Sequence, residues 1–251
     1  MLWKRMTLRW TDKELREWSS AFRILYLLFP LIIYYLATDI TDVILWALIN
    51  FSAEGASEST ITAIARFGAT IQGVVYGLGL VIALIILKNA AVNEITYVTK
   101  GEDKPHLSVL NVLELIVSAL VFSIGLNYLF NLIGLTESSV SFARAYELMY
   151  GVNFVAGLII YGLLSPVAEE IIFRGILYNR MKRIFPIPLS MIVSSLLFGV
   201  FHGNIVQGIY GTLMGMVIVY FYEKYKSFYA PLIIHVVANL GVYVLTYVIW
   251  K

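Results

Sequence analysis

The chain has 251 residues and a formal net charge of +2, with 60% hydrophobic and 14% charged residues. An average soluble domain is nearer ~45–50% apolar and ~25% charged, so this composition excludes an ordinary soluble protein. Cysteine is absent, which excludes disulfides, zinc thiolates and a cysteine nucleophile. Beyond the N-terminal arm no basic array is interleaved with aromatic residues, so we expect no nucleic-acid partner.

Long apolar blocks dominate the chain and predict membrane-spanning helices. A transmembrane helix needs roughly 17–25 mostly apolar residues. Blocks that approach or exceed this length cover residues 24–36, 73–87, 109–135, 152–164, 205–222 and 228–250. The predicted fold class is all-α, a polytopic transmembrane helix bundle of seven or eight spans. A small chain without a separate soluble domain favours an integral, multi-pass protein of a bacterial or archaeal plasma membrane.

The first part of the chain leaves two structural alternatives open. Residues 1–20 mix basic with aromatic side chains, a pattern that fits equally a helix lying on an anionic leaflet and a solvated juxtamembrane arm. Residues 24–51 are apolar apart from Asp39 and Asp42. They form either one span with a polar break or a span followed by an interfacial turn. Residues 52–60 are small, polar and acidic, which predicts an exposed loop.

Small residues and polar breaks organise the middle of the chain. We expect the most soluble connection at residues 89–106 and another loop at residues 136–147. Glu114, in the third span, is interpreted as an interfacial residue or a partner for a local charge. Glycine pairs at a spacing that lets two helices approach closely are Gly73 with Gly77, and Gly211 with Gly215.

Ser165 and Pro166 predict the start of a new helix or a kink, because proline is well tolerated in the first turn of a helix. This helix carries the adjacent carboxylates Glu169 and Glu170 and ends in the basic residues 180–183. Three apolar stretches follow it, at residues 189–201, 205–222 and 228–250.

The distribution of lysine and arginine predicts the orientation in the membrane. The basic segments, which we assign to the cytoplasm, are residues 1–20, 88–104, 174–183 and 223–226. The loops at residues 52–60 and 136–147 are assigned to the outside. With seven spans the N-terminus lies inside and the C-terminus outside, and an eighth span within residues 24–51 would reverse the N-terminus.

Three polar clusters interrupt the apolar background of the C-terminal half. They are Glu169-Glu170-Ile-Ile-Phe-Arg174, Phe198-Gly-Val-Phe-His202 and His235-Val-Val-Ala-Asn239. Ionisable groups at membrane depth are costly and are usually functional. Two of the three histidines of the chain fall in these clusters, so the pattern favours chemistry over packing.

Helix geometry gives the two carboxylates different roles. Adjacent helical residues point about 100° apart. Glu170 precedes Arg174 by one turn, in the orientation that favours an ion pair. Glu169 is then free to act, with His202, as a general base on water. His235 and Asn239 present a ring nitrogen and an amide from one helix face, and two such donors suit the oxyanion of a tetrahedral intermediate.

Each of these residues also has a structural interpretation. Glu170 with Arg174 is, taken alone, more often a structural pair than a catalytic one. A single helical histidine is most often a core residue, and Asn239 alone would be read as an interhelical contact. The joint occurrence favours a site whose catalytic residues are Glu169, His202, His235 and Asn239, supported by Glu170, Arg174 and Phe198.

At these residues the chain resembles the CPBP family of intramembrane proteases, which includes type II CAAX prenyl endopeptidases and Abi-like and lysostaphin-resistance-protein-A-like bacterial members. The motifs of that family are Glu-Glu-x-x-x-Arg, Phe-x-x-x-His and His-x-x-x-Asn, and all three are present in order. The match covers roughly residues 150–245. The resemblance implies a glutamate-centred active site recessed in the membrane, where Glu169 and His202 activate water and His235 and Asn239 hold the oxyanion.

The predicted organisation has three parts. Residues 1–20 are a cytoplasmic amphipathic juxtamembrane arm, residues 21–147 are N-terminal transmembrane helices, and residues 148–251 are a CPBP-like catalytic domain.

The expected partners are a peptide or protein substrate in the membrane and the lipid bilayer. The proposed mechanism requires no cofactor. A divalent metal such as zinc stays an alternative, with Glu169, His202 and His235 as its ligands, although no His-Glu-x-x-His motif is present.

The depth of His202 is the main difficulty for this site. Counted from residues 180–183, Glu169 and His235 fall in the inner half of the bilayer, whereas His202 falls nearer the outer side. These side chains can meet only if the fifth span is tilted or displaced, or if the glutamate helix is partly submerged instead of spanning.

The favoured function is a glutamate-dependent intramembrane endopeptidase, of a class often named metalloendopeptidases, that cuts short hydrophobic, leader or lipidated peptides. The alternative is a non-catalytic membrane partner that modulates a sensor kinase or gives immunity by sequestering a bacteriocin. An ion-coupled transporter would also use buried Glu and His, but it predicts inverted repeats or paired broken helices, which the sequence does not display convincingly.

Overall fold

The computed structural model describes residues 2–53, 57–100 and 107–250. Within these ranges the chain is helical and contains no strand. We number the helices α1 (Leu2–Thr7), α2 (Asp12–Glu17), α3 (Ser20–Ala53), α4 (Glu58–Lys100), α5 (Val109–Leu132), α6 (Val140–Gly151), α7 (Phe154–Met181), α8 (Ile187–Val200), α9 (Ile205–Tyr225) and α10 (Tyr229–Trp250).

Six of the described helices are long and apolar enough to cross a membrane, namely α3, α4, α5, α7, α9 and α10. Helix α8 is apolar but has only 14 residues. At 1.5 Å per residue it is about 21 Å long, shorter than the ~30 Å hydrocarbon core. The all-α membrane fold is confirmed, and the expected seven or eight spans are close to six long helices and this shorter one.

Several predicted boundaries are corrected by the structure. Residues 24–51 lie in the single helix α3. The alternative of one span is therefore retained, and the alternative of a span followed by an interfacial turn is wrong. Helix α4 continues to Lys100, so the soluble connection predicted from residue 89 is wrong up to that point, and residues 101–106 lie outside the described ranges. Buried Ala90, Ala91 and Glu94 explain this extension, because they pack against the bundle.

The two predicted outer loops also differ from the structure. The loop expected at residues 136–147 contains the start of α6, where the Ser139 side chain caps the helix by accepting from the Phe142 N–H. Of the other loop, residues 54–56 lie outside the described ranges, and α4 begins at Glu58.

Helix α7 is continuous through Ser165 and Pro166, so no new helix begins there. The proline instead lies two residues after the end of a wide π-helical turn at Ile160–Leu164, and a second π-helical segment covers Ile171–Tyr178. The short regular segment between them carries both glutamates. Wide turns of this kind are frequent at functional sites.

The N-terminal arm folds back onto one end of the bundle, so it is not a fully solvated arm, and its expected position on an anionic leaflet stays a prediction. Met6 and Leu15 are buried together with Tyr26 of α3. Arg180, at the end of α7, donates from Nη2 to the Met6 carbonyl at 2.8 Å and from Nε to Glu94 at 3.2 Å. The arm is therefore tied to both α4 and α7.

The basic segments meet at this same end. Besides the Arg180 contacts, Lys182 after α7 forms an ion pair with Glu223 of α9 at 3.1 Å. The common location agrees with their assignment to one side of the membrane, which stays a prediction.

Two apolar clusters hold the long helices together. The first joins α3, α4 and α7 through residues such as Leu31, Leu87 and Ile172. The second joins α5, α9 and α10 through residues such as Ile218 and Ile234. Helix α10 also packs along α7, so the glutamates of α7 face the place where both clusters meet.

Candidate active site

A cavity of about 800 Å³ brings the predicted catalytic residues together. Its lining includes Glu169 of α7, His202 between α8 and α9, and His235 and Asn239 of α10. Helix α8 ends at Val200, and His202 lies in the turn that follows. This turn reaches the cavity, so His202 and Glu169 line one space, and the explanation of their depths in the membrane stays a prediction.

The Phe198 ring contacts both imidazoles of the cavity. Its centroid lies 5.0 Å from the His202 ring and 5.4 Å from the His235 ring, and both contacts are edge-to-face. The expected packing of Phe198 on His202 is present. The second contact joins residues far apart in sequence, and their spacing could not reveal it.

Glu170 is a fully buried junction between helices. Its Oε1 accepts from Arg174 Nη1 at 2.7 Å and from His235 Nδ1 at 2.6 Å. Arg174 also donates from Nη2 to the Gly215 carbonyl at 3.2 Å, and its guanidinium lies 4.5 Å from the Phe198 ring centroid. The pair of Glu170 and Arg174 expected from the spacing is present, and it connects α7 with α9 and α10.

Glu169 points elsewhere, as helix geometry requires. It is 7% exposed and lines the cavity. Its Oε1 accepts from Ser165 Oγ at 2.5 Å, whereas its Oε2 lies 3.7 Å from His235 Nε2. Glu169 therefore has one oxygen engaged in a short hydrogen bond and the other without so close a contact.

The hydrogen bonds of the imidazoles define which nitrogen carries a proton. His202 Nδ1 lies 2.8 Å from the Phe198 carbonyl, which can only accept, so Nδ1 carries the proton and a neutral ring has its lone pair on Nε2. His235 Nδ1 donates in the same way to Glu170. His235 can then donate from Nε2 only when its ring carries both protons.

Asn239 makes a contact that the sequence did not predict. Its Nδ2 donates to the Tyr161 carbonyl, in the first π-helical turn, at 3.1 Å. The Ser165 N–H donates to the Ile160 carbonyl, five residues earlier. In the same π-helical register, the donor for the Tyr161 carbonyl would be the N–H of residue 166. Proline has no N–H, so Asn239 satisfies a carbonyl that α7 itself leaves unpaired.

We expect Asn239→Ala to destabilise the protein by about 1–3 kcal/mol, because the Tyr161 carbonyl loses its donor. In a Pro166→Ala background residue 166 regains an N–H, so the same change should cost less. A double-mutant cycle of unfolding free energies measures this coupling. Asn127→Ala is the control for the cycle, since the bonds of Asn127 to the Ser123 carbonyl and to Tyr210 do not involve residue 166. Additive effects of Asn239→Ala and Pro166→Ala would contradict the explanation.

The glycines of α9 make room for site side chains. A Cβ on Gly211 would lie 3.2 Å from two atoms of the His202 ring. A Cβ on Gly215 would lie 3.2 Å from Arg174 Nη2 and 3.3 Å from Phe198. A Cβ on Gly211 would also lie 3.3 Å from the Gly199 Cα of α8, so the close approach of two helices expected at these glycines is present between α8 and α9.

Sequence reasoning missed three hydroxyl residues beside Glu169. Tyr76 OH lies 3.1 Å from Ser165 Oγ and 3.2 Å from Tyr34 OH, and all three residues line the cavity. The position of Ser165, one turn before Glu169, was an available signal. The sequence contained no signal for Tyr34 and Tyr76, which belong to α3 and α4, because only tertiary packing brings them to α7.

The arrangement does not fit a zinc site. In the part of the chain that the structure describes, no group of three or more His, Asp and Glu side chains is placed to hold a metal ion. Glu169, His202 and His235 share the cavity without forming such a group. We therefore derive no step through a metal.

Comparisons with known proteins agree on the C-terminal part of the chain. The family described as Type II CAAX prenyl endopeptidase Rce1-like matches residues 151–241, a range that contains all three motifs. A Bacillus subtilis (strain 168) protein named "Putative membrane peptidase YdiL" is 26% identical over 88 residues, which are 35% of this chain and 36% of that protein.

The chain thus matches little more than a third of that relative's length. No solved structure gives a significant match. The matched range holds the carboxylates, both imidazoles and the asparagine of the cavity. Residues 151–241 of this chain are thus similar to the Rce1-like type II CAAX prenyl endopeptidases and, over 88 residues, to a protein named as a putative membrane peptidase.

Proposed function

We propose that this protein is an intramembrane endopeptidase that hydrolyses short hydrophobic, leader or lipidated peptides in a bacterial or archaeal plasma membrane. The observation that carries the proposal is the shared cavity of Glu169, His202 and His235, in which Glu169 Oε2 lacks the close hydrogen bond that Oε1 makes. A buried carboxylate beside imidazoles is suited to general base catalysis.

The proposed chemistry begins with a water molecule in the cavity. Glu169 Oε2 takes a proton from this water, His202 Nε2 accepts a hydrogen bond from its other O–H, and the water oxygen bonds to the peptide carbonyl carbon. The negative charge that develops on the carbonyl oxygen is stabilised by donors from His235 and Asn239. The C–N bond then breaks, and the proton held by Glu169 passes to the leaving amine.

Glu170 and Arg174 are proposed to orient His235. The carboxylate of Glu170 holds Nδ1 and thereby directs Nε2 toward Glu169. In this role the second carboxylate of the motif acts through the imidazole and does not touch the substrate. Phe198 supports the same geometry, because it packs against both imidazoles.

The cavity favours a short substrate segment. Its volume of about 800 Å³ lies within the ~300–1,000 Å³ of small-ligand sites, so it would hold only a short stretch of peptide around the scissile bond.

The proposed three-part organisation assigns different tasks to the two transmembrane parts. Residues 148–251 supply the catalytic groups. Residues 21–147 supply much of the cavity wall, including Tyr34, Tyr76 and Asn127. The arm at residues 1–20 lies at the basic end of the bundle.

The test is a comparison of membrane and secreted peptides from cells that carry the wild type or Glu169→Ala. We expect a precursor to accumulate and its product to disappear in the variant. Glu114→Ala is the matched control, since Glu114 pairs with Lys224 and is not part of the cavity lining. Unchanged peptides at equal protein levels would contradict the proposal. A binding partner retained by Glu169→Ala would then favour the non-catalytic alternative.

A further inference from the structure

A row of hydroxyl groups leads from α3 across α4 to Glu169. Tyr34 OH lies 3.2 Å from Tyr76 OH, Tyr76 OH lies 3.1 Å from Ser165 Oγ, and Ser165 Oγ donates to Glu169 Oε1 at 2.5 Å. Tyr34 and Ser165 are buried, with 8% and 5% exposure. Tyr76, between them, is partly exposed, and all three side chains line the cavity.

The direction of these hydrogen bonds follows from counting protons. An ionised carboxylate can only accept, so the single hydroxyl proton of Ser165 is committed to Glu169. Ser165 must then accept from Tyr76, whose own oxygen accepts from Tyr34. All three O–H bonds point toward the carboxylate, so each donor polarises the next one in the row.

We propose that Ser165 and Tyr76 are positioning residues that fix the carboxylate of Glu169, so that Oε1 is held and Oε2 is the oxygen that takes the proton from water. This inference rests on the proposed function. Without the Ser165 hydroxyl the carboxylate would be free to rotate, and either oxygen could turn toward His235. Ser165 touches the base and not the substrate, so its loss should lower kcat and leave KM unchanged.

The test is a double-mutant cycle of Ser165→Ala and Tyr76→Phe in purified protein in lipid nanodiscs. Two internally quenched probes are used, a short apolar peptide and the same peptide with a farnesylated cysteine. Ser165→Ala should lower kcat by about 10–100-fold, as expected for the loss of a hydrogen bond to a charged group. Tyr76→Phe should have a smaller effect alone and almost none in the Ser165→Ala background, because Tyr76 acts only through Ser165.

Two further variants separate positioning from general damage. Ser165→Thr retains a hydroxyl and should recover most of the lost kcat. Tyr222→Phe removes another buried tyrosine hydroxyl, one that donates to Asn179 at 3.1 Å outside the cavity lining, and should leave kcat unchanged. If Ser165→Ala fails to fold, the drop in kcat for Tyr76→Phe at constant KM still tests the proposal.

The outcomes distinguish this inference from the function on which it rests. If the wild type cleaves neither probe, the proposed function and the positioning role are both overturned for these substrates. If the wild type cleaves and Glu169→Gln does not, the proposed function stands. Wild-type kcat in Ser165→Ala, or independent losses in the cycle, would then overturn the positioning role alone.

Discussion

Replacing Glu169 with glutamine should lower kcat/KM for peptide hydrolysis by about 10²–10⁴-fold, the range of a lost general base. Glutamine has nearly the same shape, and its amide oxygen can still accept from Ser165. The amide nitrogen, at the position of Glu169 Oε2, cannot take a proton from water. The fold should be retained, because the close hydrogen bonds that connect α7 with α10 and α9 are made by Glu170 and Arg174 and not by Glu169. Steady-state cleavage of a quenched peptide by purified protein measures the effect.

Glu114→Gln is the control for this measurement. Glu114 is also a carboxylate in a transmembrane helix, but it is partly exposed and bonded to Lys224 and Tyr225. Its replacement should leave cleavage unchanged. Comparable rates for Glu169→Gln and the wild type would remove Glu169 from the role of base.

The local parts of the site could be predicted from the sequence. The ion pair of Glu170 with Arg174 follows from helical periodicity. The contact of Phe198 with His202 was predicted from the same spacing, although His202 lies in the turn after α8, and the structure contains both. The bond from His235 to Glu170 joins residues that are 65 positions apart. Spacing alone carries no information on such a pair, so the sequence suggested a role for His235 but not its partner.

The positions of helix ends limited the prediction in a different way. The fifth apolar segment was expected to place His202 near the outer side, because its residues were counted as part of a span. Helix α8 is too short to cross the bilayer, and His202 lies in the turn after it. Hydropathy indicates which residues avoid water, but it does not distinguish a spanning helix from a shorter one packed against neighbouring helices.

Pro166 illustrates how a correct signal can be misassigned. Its missing N–H does disturb the local hydrogen bonds of α7, as proline requires. The helix continues, because the π-helical turn and the Asn239 side chain accommodate the unpaired carbonyl. Of the two predicted alternatives the new helix is wrong, because the compensation comes from α10, which is distant in sequence, and the kink stays a prediction.

The largest effect on stability is expected for Arg174→Met. Glu170 and Arg174 are fully buried and 2.7 Å apart. Removal of one partner from a buried ion pair leaves an uncompensated charge and typically costs about 3–5 kcal/mol. Glu170 would retain only the bond from His235, because its Oε2 has no hydrogen-bond partner among the described residues. The unfolding free energy in mixed micelles measures this loss.

The double variant Glu170→Gln with Arg174→Met decides whether the charge or the lost packing is responsible. Glutamine at position 170 is neutral and can still accept from His235, so the double variant should regain much of the stability that Arg174→Met loses. Lys224→Met is the matched control, since its pair with Glu114 is partly exposed and such pairs contribute little. Equal losses for Arg174→Met and Lys224→Met, or a double variant less stable than Arg174→Met alone, would show that Glu170 is not held by charge pairing. The second carboxylate of the motif would then be kept by its bond to His235, and its role would belong to the chemistry of the cavity instead of the scaffold.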